Sequence, residues 1–294
     1  MKHTSNSPGR LLILLVGFAL LSFLLISLIG GAMAAADIDI RTPHILQMTQ
    51  GLSQLMVFLV PSLIVAKQGQ GKIAERWCLD MRRRKWLLGL VGIVIVMLVM
   101  PSIDALNQWN EGWHCQSAPW KGWEEMLRRT ATANKEVTAL MLSQTGAGNL
   151  IFNLLIAALL PAICEEVFFR GTLQQLLQRV TGNIHAGVAI GAAIFSLLHG
   201  DLFAFVPRFA MGLLLGYLFY YSGSLVVAIL AHLFNNATIV VATYLHQTGT
   251  LAIDPTEPLN MPIIIVLCCL LASLALFSIY FVASKKTTQN TNKQ

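Results

Sequence analysis

Glu165, Glu166 and Arg170, then His199, then His232 and Asn236 are side chains that together could hydrolyse an amide bond. A carboxylate can take a proton from water, an imidazole can relay one, and an amide can hold the oxyanion that forms. The spacing separates the two glutamates. Adjacent helical residues point about 100° apart, so Glu165 and Glu166 face different neighbours. Glu166 and Arg170 are four apart with the acid on the N-terminal side, the favourable order for a helix ion pair. Glu165 is left without a partner on its own helix and is the candidate base. His232 and Asn236, also four apart, project from one helix face. Two hydrolytic versions stay open. In one, Glu165, His199 and His232 bind a divalent metal, zinc being the best match, with water at the open position. In the other, metal-free version, Glu165 and His199 activate water and His232 with Asn236 donate to the oxyanion. There is no Gly-x-Ser-x-Gly elbow and no His-Glu-x-x-His helix.

The elements that carry these groups are apolar. The chain has 294 residues, 55% hydrophobic and 12% charged, against about 25% charged in soluble proteins. Each ionisable group at bilayer depth costs about 2.5–3.5 kcal/mol, so such groups mark function by default. The reading is an all-α polytopic membrane bundle of about eight transmembrane helices around an intramembrane cavity. The spans fall near 11–36, 45–66, 86–103, 150–170, 184–200, 202–221, 224–245 and 261–283. The second is the weakest, because Gln47, Gln50, Ser53 and Gln54 make its first half polar. The first follows Lys2 and Arg10 and contains Ala32-Met33-Ala34, which resembles a cleavage site. Its apolar run exceeds the roughly 7–15 residues of a signal peptide core, and it reads as an uncleaved span. Residues 1–284 form one bundle with a core at about 150–245, a connection at about 104–149 and a disordered cytoplasmic tail at 285–294.

Lys and Arg are most numerous in the segments on the side of the N-terminus, above all Lys67, Lys72, Arg76, Arg82, Arg83, Arg84 and Lys85. That bias puts both termini in the cytoplasm. It also assigns the net charge of +6 to orientation rather than to nucleic acid. The partners expected are membrane lipids and a peptide or membrane-protein substrate. Trp109, Trp113, Trp120 and Trp123 place the long connection at the membrane–water interface, or in a small packed cap. Cys78, Cys115, Cys164, Cys268 and Cys269 show no Cys-x-x-Cys spacing and imply no disulfide framework.

Depth joins the motifs. With an inner turn near 180–185, Glu165 and His199 each lie 14 residues from it, counted from Arg179 and His185, or about 21 Å along antiparallel helices. This requires the fourth helix to continue through Gln178. His232 and Asn236 follow the next inner turn, at Ser222-Gly223, by 10 and 14 residues.

Glu-Glu-x-x-x-Arg, Phe-x-x-x-His and His-x-x-x-Asn on successive hydrophobic segments resemble the CPBP (Abi) family of type II CAAX prenyl proteases and bacteriocin-processing proteins. The resemblance covers about residues 150–245, with no departure from the motif set. It implies an eight-helix intramembrane endopeptidase with a cavity open to the cytoplasm. It puts the general base on Glu165, its water-activating partner on His199, the supporting ion pair on Glu166 and Arg170, and transition-state stabilisers on His232 and Asn236. The short chain is expected in a bacterial cytoplasmic membrane, where prenylated proteins are not expected, so the substrate is open. The rival functions are a non-catalytic membrane regulator or immunity protein, and a proton-coupled transporter. The fifth and seventh spans are mostly apolar below the site and no inverted repeat of broken helices is visible, which weighs against transport.

Overall fold

A computed structural model describes residues 7–68, 72–81, 83–114 and 117–291, all helical or in short connections. In chain order the helices are α1 (Pro8–Ala35), α2 (Pro43–Lys67), the single turn α3 (Ile73–Arg76), α4 (Arg83–Glu111), α5 (Ala118–Met141), α6 (Ala147–Thr181), α7 (Ile184–Leu198), α8 (Phe205–Ser222), α9 (Leu225–Gln247) and α10 (Ile263–Thr291). Among the described residues, seven helices are long and apolar enough to cross a membrane. The chain is a multi-pass membrane protein.

The predicted span at 184–200 departs from this pattern. It is a helix of 15 residues, about 22 Å long, short of the roughly 30 Å hydrocarbon core. Its ends explain why. The Asn183 side chain accepts from the backbone N–H groups of His185 and Ala186 at 2.8 and 3.3 Å, and Gly200 turns the chain in the left-handed region at φ +68°. Apolar composition alone could not show either boundary. By contrast α6 outruns its predicted span and continues through Gln178 to Thr181, as the depth argument required. The backbone of α10 runs helically into the expected tail as far as Thr291. Residues 292–294, together with Lys2, Arg82 and Cys115, lie outside the described residues.

Two helices carry a proline behind a widened turn. In α2 a π-helical turn at Gln54–Leu59 precedes Pro61, and in α6 one at Leu154–Leu159 precedes Pro161. Proline lacks the N–H for the ordinary ladder, and its ring collides with the carbonyl four residues back. A π turn absorbs that defect by one extra residue, which rotates the faces on either side of it by about 100°. A third π turn, Phe169–Gln174, follows the two glutamates. The Thr172 hydroxyl donates to the Val167 carbonyl five residues back at 2.9 Å.

Around the site the core is aromatic on one side and aliphatic on the other. Leu11 and Leu15 of α1 pack with Phe168, Phe169 and Leu173 of α6 and Phe195 of α7. Leu88 and Ile95 of α4 pack with Leu215 of α8, Val227 of α9 and Tyr280 of α10. Helices α7 and α8 approach through glycine. A Cβ at Gly212 would stand 2.9 Å from the Ala192 Cβ and 3.1 Å from its Cα, and one at Gly216 would stand 2.9 Å from Val188. A Gly212→Val variant is therefore expected to lose about 1–3 kcal/mol through overpacking, read as a lower melting temperature in detergent. Gly148→Ala, which meets nothing within 4 Å, should melt like the parent chain.

Candidate active site

The polar centre is built on α6. Glu166 is fully buried, and its Oε1 accepts from Arg170 at 2.7 Å and from His232 Nδ1 at 2.8 Å. The i, i+4 spacing supplies the first bond and α9 supplies the second. Arg170 is 2% exposed. Its other terminal nitrogen donates to the Gly212 carbonyl at 2.9 Å, and its guanidinium lies 5.0 Å from the centre of the Phe195 ring. The close glycine contact of α7 with α8 thus also brings the Gly212 carbonyl within reach of this cation. Arg170 sits inside the third π turn.

Glu165 points elsewhere, as adjacency on a helix requires. It is buried, and its Oε1 accepts from Gln54 Nε2 of α2 at 2.9 Å. Its Oε2 lies 3.9 Å from His232 Nε2. One imidazole therefore spans the two carboxylates, Nδ1 to Glu166 and Nε2 toward Glu165. Because an ionised carboxylate only accepts, the Glu166 bond assigns the proton to His232 Nδ1.

His199 closes α7. Its Nδ1 bonds the Phe195 carbonyl at 2.8 Å, and its ring sits edge-on to Phe195 with centroids 4.7 Å apart. The same Phe195 ring lies 6.2 Å from the His232 ring, so it neighbours both imidazoles and the Arg170 guanidinium. His199 is exposed, yet close enough to Glu165 and His232 to interact with them electrostatically. The chain after it is stapled in place. Ser196 donates to the Phe205 carbonyl at 2.7 Å, Asn110 of α4 bonds the Leu202 carbonyl and the Val206 N–H, and Arg208 pairs with Asp201 at 3.5 Å.

Asn236 lies one turn past His232 and is half-buried. Its Oδ1 accepts from Asn235 Nδ2 at 3.1 Å, which leaves its own amide N–H groups free to donate. The structure therefore joins Glu165, Glu166, Arg170 and His232 in one contiguous network. His199 adjoins it through Phe195, and Asn236 stands beside it on α9. Gln54 is the member that sequence reasoning passed over. Three buried oxygens around this centre, Gln54 Oε1, Glu166 Oε2 and Asn235 Oδ1, have no hydrogen-bond partner among the described residues.

The three-donor set Glu165, His199 and His232 expected for a metal does not come together. Among the described residues no three His, Cys, Asp or Glu side chains are arranged to hold one. Glu165 Oε2 and His232 Nε2 are two suitable donors 3.9 Å apart, but His199 does not join them. Thiols do not fill the role. The Cys78 thiol is raised in pKa by burial, against the opposing charge of Lys85, and so stays protonated. A separate apolar cavity of about 620 Å³ lies between α5 and the chain at 202–206, lined by Trp113, Trp120, Trp123, Phe203 and others. None of the six motif residues lines it.

Residues 147–238, from the start of α6 to the middle of α9, match the family described as type II CAAX prenyl endopeptidase Rce1-like. This stretch is an Rce1-like CAAX protease domain. No curated protein and no solved structure matches the chain. All six motif residues fall inside the matched segment, and Gln54 falls outside it. An Rce1-like domain implies an intramembrane protease with a protein or peptide substrate.

The burial of the ion pair sets a stability test. Removing one partner of a buried pair costs about 3–5 kcal/mol, because the other charge stays behind. Glu166→Gln is expected to lose that much and to lower the detergent melting temperature sharply, whereas the apolar double variant Glu166→Leu/Arg170→Met should recover part of it. Equal melting of Glu166→Gln and the parent chain would show that the ion pair does not hold the fold together.

Proposed function

We propose that this protein is an intramembrane endopeptidase in which Glu165 activates water against a peptide bond, with no step routed through a metal. The carrying observation is the Glu166–His232–Glu165 arrangement. Glu166 is occupied by Arg170 and His232 and is unsuited to act as a base. Glu165 keeps one oxygen directed toward the second imidazole nitrogen, at 3.9 Å. A water between Glu165 Oε2 and His232 Nε2 can donate one hydrogen to each. Glu165 takes the first proton as the water oxygen attacks the peptide carbonyl carbon. The C–N bond then breaks, and Glu165 returns the proton to the departing amine. The products are an amine and a carboxylic acid, which releases its remaining proton to solvent.

The hydrogen-bond inventory supports a reading of the remaining roles. We take His232 as the neutral tautomer that donates from Nδ1 to Glu166; its Nε2 then accepts, and it orients the water rather than donating to the oxyanion. This differs from the role its motif position implied. His199, whose Nδ1 donates to a carbonyl, is in the same condition and serves the water from the exposed side. Asn236 is the amide with free N–H groups, and it is the oxyanion donor. Glu166 and Arg170 hold His232 in register. The body that carries the site is the single bundle at 1–284, with its core at about 150–245. The charge bias continues to favour both termini in the cytoplasm.

The test uses purified protein in detergent and a quenched fluorogenic peptide with a farnesylated Cys-x-x-x tail, beside the same peptide unprenylated. Peptides of wild-type and Glu165→Ala cells are compared in parallel to find cut sites without assuming the tail. Glu165→Gln is expected to lower turnover at least about 100-fold, the usual scale of acid–base help, with an unchanged melting temperature. Undiminished cleavage by that variant would overturn the base assignment, and no cleavage by the wild-type protein would favour a non-catalytic regulator. Exhaustive chelation should leave activity in place; loss on chelation with recovery on adding zinc would overturn the metal-free mechanism.

A further inference from the structure

We infer that Gln54 of α2, outside the matched domain, is the positioning residue that aims the Glu165 carboxylate, an inference that rests on Glu165 being the base. Its amide donates to Glu165 Oε1 at 2.9 Å and is 4% exposed. The direction of that amide is fixed by chemistry. A carboxylate accepts only, so the NH₂ faces Glu165 and the oxygen faces away. That oxygen is buried without a partner. With Oε1 held by Gln54, the carboxylate plane is set, and Oε2 is the oxygen presented to His232 Nε2 at 3.9 Å. A carboxyl free to spin would present either oxygen, or neither, to the water.

The backbone explains why a glutamine of α2 can do this. Gln54 opens the π turn that precedes Pro61. Without the extra residue of that turn, the face of α2 N-terminal to it would be rotated by about 100° relative to Pro61 and Val65. Val65 packs against α1 and against Phe168 of α6. The same turn therefore lets one end of α2 pack on the aromatic core while the other points an amide at Glu165. Seven residues earlier, on the same face, Gln47 is fully buried and donates to Asn153 of α6 at 2.7 Å and to the Met141 carbonyl at 3.0 Å. Gln47 anchors the register of α2 on α6, and Gln54 uses it.

The two glutamines should separate in experiment. The readout is cleavage of the synthetic peptide spanning a cut lost in Glu165→Ala cells. Gln54→Met keeps side-chain length and removes the donor. It is expected to lower kcat about 10–100-fold, with KM within threefold and the melting temperature unchanged. Gln54→Glu, isosteric but without the NH₂ donor, should be at least as poor. On a Glu165→Asp background, where the carboxyl is already displaced, Gln54→Met should cost little more, as expected for residues acting as one unit. Gln47→Met should instead lower the melting temperature. A Gln54→Met enzyme with wild-type kcat would overturn the inference, and so would losses that merely follow the amount of folded protein. If Glu165→Gln also cleaves normally, the base assignment itself has failed; if it is inactive while Gln54→Met is normal, only the positioning role has.

Discussion

One carboxylate organises the centre of this molecule. Glu166, with no exposed surface, accepts from a guanidinium on its own helix and an imidazole from another. A lone carboxylate there would be prohibitively expensive, and so would a lone guanidinium. Together, with the Gly212 carbonyl completing the shell of Arg170, they form a polar unit that the apolar bundle can enclose. The unit links three helices, α6 through both charges, α8 through a carbonyl and α9 through His232. Each link has a local cause: the i, i+4 spacing, the glycine contact between α7 and α8, and the inward face of α9.

That arrangement divides labour between two neighbouring glutamates without any difference in residue type. The 100° step along a helix sends Glu166 into the ion pair and Glu165 toward α2 and the far nitrogen of His232. Chemistry follows from what is left over. Glu165 has one oxygen committed to Gln54 and one not, His232 has one nitrogen committed and one not, and Asn236 has its carbonyl committed to Asn235 and its N–H groups free. In the proposed mechanism the uncommitted atoms serve as two acceptors for a water and one donor for an oxyanion, the set a peptide hydrolysis requires.

Much of this was legible in the sequence because it depends on short spacings. Glu166–Arg170 and His232–Asn236 are helix-periodic pairs, and their placement in apolar runs marked them. What depends on helix facing was not legible. Gln54 read as a blemish in a weak span, since polarity lowers hydropathy whether the residue is buried or not. Its seven-residue spacing from Gln47 was the available signal, a polar stripe on one face of an apolar helix. The shared use of His232 by both glutamates, and the exclusion of His199 from a three-donor set, turn on ring orientation that no spacing encodes. The length of α7 was hidden for another reason. Its sequence stays apolar up to His199, while its boundaries are set by a cap at Asn183 and a left-handed turn at Gly200.

In the proposed mechanism Glu166 holds a proton on His232 Nδ1, and an unprotonated Nε2 faces Glu165. Nitrogen NMR of the protein with labelled histidine, assigned through a His232→Gln variant, reports the protonation of each ring nitrogen directly. That arrangement requires a protonated Nδ1 and a bare Nε2 on His232 near neutral pH, with the pattern lost in Glu166→Gln. A His232 that carries its proton on Nε2 alone, unaffected by Glu166→Gln, would contradict it.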